Sequence, residues 1–114
     1  MDAKLDETKM SKGYKLANKL RNARRFATEF AKDGSDKDME MRWMSHSEKI
    51  DALMEDFEFD KALNTLTDYF WHEFCDKEIE LSKQSGRKAS LLRVLNDQER
   101  RFQELLAYDL RGQL

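Results

Sequence analysis

His72 and Cys75 stand one helical turn apart, so on a helix both side chains leave the same face, and His46 would complete a zinc-like N/S set. A closed zinc site needs a fourth ligand, and none stands at a matching spacing. The simpler reading makes Cys75 a small buried side chain and His72 the flank of an aromatic cluster, so no metal is expected. Asp33-Gly34-Ser35-Asp36-Lys37-Asp38 resembles a calcium loop in its carboxylates, but its glycine comes second rather than sixth and Lys37 interrupts the ligands. It reads instead as an interhelical turn, with Gly34 closing one helix and Ser35 or Asp36 capping the next. Glu73, Asp76 and Glu80 read as surface pairs rather than an acid/base site, and there is no Gly-rich phosphate loop. No cofactor, no small-molecule substrate and no enzymatic activity are expected.

Helices must position these groups. The 114 residues are 39% hydrophobic and 39% charged, with four glycines and no proline, so little interrupts a helix. That length fits one domain, 1–114. Leu16, Leu20, Ala23, Ala27 and Phe30 recur at steps of four and three and predict an inward face on the first helix. Met39, Trp43, Ile50, Leu53 and Met54, with Phe57 at the end, do the same for the second, and Leu63, Leu66, Phe70 and Phe74 for the third. Leu91, Leu92, Leu95, Phe102, Leu105 and Leu106 mark the fourth. With breaks at Gly34, near Phe59 and at Ser85-Gly86-Arg87, the expected helices are 10–32, 37–56, 60–83 and 88–111, after a frayed tail 1–9. The predicted fold is all-α, an antiparallel up-down four-helix bundle of rods about 30 Å long. Asn18, Asn22, Arg25 and Asp76 are expected to form a polar network that fixes helix register.

Twenty-one basic and 23 acidic residues leave a formal net charge of −2, so composition does not itself suggest nucleic acid. One cysteine excludes an internal disulfide and fits a reducing compartment. No stretch approaches the roughly 18 apolar residues that span a bilayer, and the charged Met1-Asp2-Ala3-Lys4 start lacks a signal-peptide core. A cytoplasmic monomer without membrane contact is expected.

Two separated segments carry more. Gly13-Tyr14-Lys15-Leu16-Ala17-Asn18-Lys19-Leu20-Arg21-Asn22-Ala23-Arg24-Arg25-Phe26 lies on the first helix, and Tyr69-Phe70-Trp71-His72-Glu73-Phe74-Cys75-Asp76, then Ile79-Glu80-Leu81, on the third. In order and separation they resemble the anticodon-binding helical domain of valyl-tRNA synthetase, a class I aminoacyl-tRNA synthetase. That family writes Asn-Lys-Leu-Trp-Asn-Ala-x-Arg-Phe and Phe-Trp-x-Glu-Phe-Cys-Asp-Trp-Tyr-x-Glu. The corner Phe57-Glu58-Phe59-Asp60-Lys61-Ala62, Met41-Arg42-Trp43-Met44 and Leu91-Leu92-Arg93-Val94-Leu95 extend the likeness to about Leu106.

The resemblance implies a tRNA anticodon loop as partner, met at the end of the bundle where the first two helices join. Mapped here, that end carries Arg24, Arg25, Lys32, Lys37, Arg42 and Trp43, with cations for phosphates and Trp43 to stack on an unpaired base. The plainer alternative makes Trp43 a core anchor and the cations solvated charges, with Asp33, Asp36, Asp38 and Glu40 repelling phosphate. Lys9-Met10-Ser11-Lys12 is similar to the synthetase signature loop, but no His-x-Gly-His accompanies it. The departures point one way: Arg21 for Trp, Lys77-Glu78 for Trp-Tyr, Arg93 for Tyr, and Arg101 to Ala107 for an apolar stretch with two prolines. They read as re-surfacing, by evolution or design, of a domain that stands alone. The function expected is a stand-alone anticodon-binding-like domain that binds tRNA without aminoacylating it; the alternative is an inert or protein-interaction scaffold.

Overall fold

Helix α1 (Asp2–Glu29) opens a computed structural model that describes the backbone from residue 2 to 112 and side chains from 15 to 107. The segment 1–9, expected as a frayed tail, is helical from Asp2, in keeping with helix formers such as Ala3, Leu5 and Glu7. The helix also ends earlier than expected. Both Phe30 N–H and Ala31 N–H donate to Phe26 O, at 2.9 and 3.0 Å, so the last turn widens. Ala31 thereby takes the inward position, and Phe30, expected in the core, is 62% exposed.

Helix α2 (Lys37–Glu55) starts as its sequence dictates. Asp36 is the N-cap, its Oδ1 accepting from Asp38 N–H at 3.0 Å and Met39 N–H at 3.3 Å. It closes in a Schellman turn, with Glu58 N–H donating to Leu53 O and Phe57 N–H to Met54 O. Phe57, at φ 60°, occupies the left-handed position usually given to glycine, and its side chain points into solvent.

The third rod is continuous but not uniform. Helix α3 (Phe59–Asp68) passes into a π-helical segment (Tyr69–Glu78) and then α4 (Ile79–Ser82), with α-helical backbone at both junctions. The wide turns change which residues face inward. Phe70, Phe74, Glu78 and Ser82, each four apart, are buried, while Leu81 is turned out. Helix α5 (Lys88–Gly112) buries Leu91, Val94, Leu95, Phe102 and Leu105 in the same core. Among the described residues the fold is an all-α bundle of four rods without strands.

The rods do not form a simple ring. Helix α1 packs mainly on α5, whereas α2 packs on α3 and α5. The link from α1 to α2 therefore passes over the start of α5. Lys32 O accepts from Arg87 N–H at 3.1 Å and Lys88 N–H at 3.0 Å, and Gly34 O from Ala89 N–H at 2.9 Å. Carbonyls of the first connection thus satisfy amides at the head of the last helix. Gly34, at φ 146°, meets Gly86 so closely that a Cβ on Gly86 would lie 2.2 Å from Asp33 O.

One core residue stands apart. Gln98 is fully buried, and neither Oε1 nor Nε2 has a hydrogen-bond partner among the described residues. Leaving such an amide unpaired costs about 1–3 kcal/mol. Gln98→Met, similar in length and without polar donors, is therefore expected to stabilise the protein by about 1–2 kcal/mol. A urea titration would show this as a higher midpoint at unchanged slope. A lower midpoint would mean that the amide is paired in solution.

Candidate nucleic-acid interface

The crossing of the two connections gathers Lys32, Lys37 and Lys88 at one end of the bundle. Lys32 and Lys37 are exposed and Lys88 half-exposed, and none of their ammonium groups has an anionic partner among the described residues. Asp33 and Asp38, also exposed, share this end. The helix starts themselves offer phosphate little: Asp36 occupies the first amides of α2, and Lys32 O and Gly34 O those of α5.

Behind the lysines lies an ionic centre that the sequence did not reveal. Glu78 is 4% exposed. Arg42 grips it with Nη2 at 2.9 and 3.1 Å and Nε at 3.2 Å, and Arg87 reaches it at 3.4 Å. Arg87 also holds Asp36 Oδ2 at 2.7 Å. The hydrogen bond to Glu78 raises the Arg42 pKa above its ordinary value, with burial opposing. This centre joins α2, the π segment, the residue that precedes α5 and the cap of α2.

The other expected contact residues are also largely committed. Arg24 donates to Glu99 at 3.0 and 2.6 Å and to Asn96 Oδ1 at 2.6 Å, and its pKa is raised chiefly by the Glu99 hydrogen bond. Trp43, expected to offer a face to an unpaired base, is 4% exposed. Its Nε1–H donates to Asp97 Oδ2 at 2.7 Å, Tyr69 lies 4.9 Å away, and the Arg101 guanidinium lies over the indole at 5.8 Å. Arg25 is exposed and bonded to Glu29 at 3.2 Å. Of the six residues, Lys32 and Lys37 alone are without a side-chain partner among the described residues.

The expected polar network does not form. Asn22, Arg25 and Asp76 are exposed and Asn18 half-buried; Arg25 pairs with Glu29, and Asp76 faces His72 at 3.7 Å. Asn22, Arg25 and Asp76 lie on outward faces of their helices, and the buried carboxylate that pairs across elements is that of Glu78, with Arg42 and Arg87. The re-surfacing reading needs a matching correction. Arg21, Lys77, Arg93, Gln103 and Glu104 are exposed, but Glu78 and Arg101 are buried. Arg101 holds Asp51 at 2.7 Å and Ser47; burial pulls its pKa down, and Asp51 and Asp97 more than offset that.

His46 donates from Nδ1 to Arg42 O at 3.1 Å and lies 4.7 Å from the Tyr69 ring, while His72 faces Asp76. Among the described residues no group of three or more His, Cys, Asp or Glu is placed to hold a metal ion. Burial pushes the Cys75 thiol up to about 11 from an ordinary 9.0, with Lys19 opposing. Two pKa units leave about a hundredfold less thiolate near neutrality. Alkylation of native Cys75 at pH 8 is thus expected to run about a hundredfold slower than that of the unfolded chain and to rise until pH passes about 11. A native rate equal to the unfolded one would mean that the thiol is not buried in solution.

Residues 36–111 match the family model of the anticodon-binding domain of tRNA ligase, and the chain belongs to that family. Its likeness is to the valyl type. The valine–tRNA ligase of Dehalococcoides mccartyi strain CBDB1 is 39% identical over 94 residues, covering 72% of this chain and 11% of the ligase. That of Haloarcula marismortui is 40% identical over 63 residues, covering 53% and 7%, and that of Syntrophotalea carbinolica 32% over 114 residues, covering 82% and 13%. The chain thus spans 11% of the length of the first of these relatives. No solved structure matches the chain. No described helix is long and apolar enough to cross a membrane.

Proposed function

We propose that this chain binds the anticodon stem-loop of tRNA, that of valine by analogy with its relatives, as a cytoplasmic monomeric module that does not itself aminoacylate. The observation that supports this most is that, in a chain of this family, three lysines without carboxylate partners converge where the two connections cross. Lys32, Lys37 and Lys88 engage phosphates of the loop, with exposed Arg25 beside them; Arg24, Arg42 and Trp43 hold the fold. Three phosphate contacts to a single-stranded loop give a slope of about −2 in log K against log salt. Titration of a labelled valine anticodon stem-loop, beside one with a scrambled loop, is expected to show loop-dependent binding with that slope. Replacing all three lysines by glutamine should bring the slope close to zero.

The ion pairs on Arg24 and Arg42 and the burial of Trp43 favour a second reading, a helical scaffold that contacts protein or nothing. Equal weak binding of both loops would select it.

A further inference from the structure

Phe30 is a large aromatic side chain where the last turn of α1 should have buried one. The widened turn that places Ala31 inward leaves the Phe30 ring 62% exposed. It is not isolated. Its centroid lies 6.2 Å from that of Phe26 at a tilt of 31°, and Phe26 is packed against the core. Lys83 Nζ sits 5.8 Å from the Phe26 ring centroid on the flank of this pair. Arg25 precedes Phe26 and Lys32 follows Ala31, both exposed.

The surroundings specify the ligand. Thr28, Glu29, Lys32 and Asp33, the exposed neighbours along the chain, are all polar or charged. An apolar protein helix would need a continuous greasy surface, and one ring among charges does not provide it. A flat π-system on an anionic backbone needs what is present: an aromatic face held from below, with cations beside it. Glu29 is engaged by Arg25 and Glu80 by Lys83, which leaves Asp33 as the unpaired anion nearest along the chain.

We propose that Phe30 is a stacking platform for an unpaired base of single-stranded RNA, with the unpaired Lys32 on the flanking phosphate. This rests on the tRNA reading and moves base contact from Trp43 to Phe30. Each stacked base carries roughly a tenfold to hundredfold effect on affinity when its aromatic partner is removed.

The test uses the labelled valine anticodon stem-loop with wild type, Phe30→Ala, Phe30→Leu and Phe30→Tyr. Phe30 is exposed, so the variants should keep the helical circular dichroism of wild type. Phe30→Ala and Phe30→Leu are expected to bind at least about tenfold more weakly with the salt slope unchanged, and Phe30→Tyr to bind like wild type. Leucine keeps apolar bulk without a π face, so a wild-type affinity for Phe30→Leu would overturn stacking even if Phe30→Ala misfolds. If wild type binds in a loop-dependent way and Phe30→Ala binds equally well, the platform is wrong and the tRNA reading stands. If wild type shows no loop-dependent binding, both fall.

Discussion

Gly86→Ala should cost this protein about 3–5 kcal/mol, a large part of the roughly 5–15 kcal/mol that holds a domain together. The added Cβ would meet Asp33 O at 2.2 Å and Asp33 C at 3.1 Å. Both are backbone atoms, so no side chain can swing aside, and overpacking of this kind costs about 1–3 kcal/mol. Parting the two connections also stretches the bonds from Arg87, Lys88 and Ala89 N–H to Lys32 and Gly34 O, each worth about 1 kcal/mol. Gly34→Ala attacks the same contact from the other side, its Cβ meeting Gly86 O at 2.5 Å at a φ of 146° that L residues rarely adopt. The two costs should therefore not add in the double variant. Urea unfolding reads all three. A Gly86→Ala midpoint near that of wild type would show that the connections do not touch in solution.

Glu78→Ala is the second large loss, about 2–4 kcal/mol. Removing one partner of a buried ion pair costs about 3–5 kcal/mol, because the opposite charge stays behind without compensation. Arg42 is roughly half exposed and Arg87 keeps Asp36, which trims the figure. Glu78→Gln keeps the shape and one hydrogen-bonding oxygen and should lose about half as much. The informative control is Glu78→Leu with Arg42→Met. An apolar pair of similar volume is often neutral against the ionic one, so the double variant should recover most of the stability lost by Glu78→Ala. If Glu78→Ala melts like wild type, the centre does not fix the packing of α2 against the π segment.

Much of this architecture was legible because its signals are local. Gly34, the Asp36 cap and the apolar steps of α2 and α5 act within a turn of themselves, so reading along the chain finds them. The third rod was legible only up to Phe74. A period of 3.6 carried past Tyr69 does not bring Glu78 and Ser82 inward, and no residue announces the wider turn. The same limit governed the candidate site. Sequence showed cations at Arg24 and Arg42 but not that Glu99 and Glu78 stand across from them. Trp43 had two readings, and Asp97, remote in sequence, decided for the core. Lys88 carries no signal along the chain, because Lys32 becomes its neighbour only where the two loops cross. Phe30 was misplaced by a single widened turn.

The crossing of the loops also bears on how the chain can be cut and rejoined. Asp36 N–H donates to Ser90 Oγ, 54 residues further along, at 2.7 Å. A helix normally settles its first amides with its own cap, and α5 instead borrows carbonyls from the link between α1 and α2. The first amides of α5 are thus satisfied only while the link between α1 and α2 holds its native place. A break or insertion within 32–35, exposed and outside any helix, would loosen the opening of α5. The backbone bonds of the corner at Phe57 are local by comparison: Phe57 N–H to Met54 O, Glu58 N–H to Leu53 O and Ala62 N–H to Glu58 O. New termini opened there would leave the crossing intact.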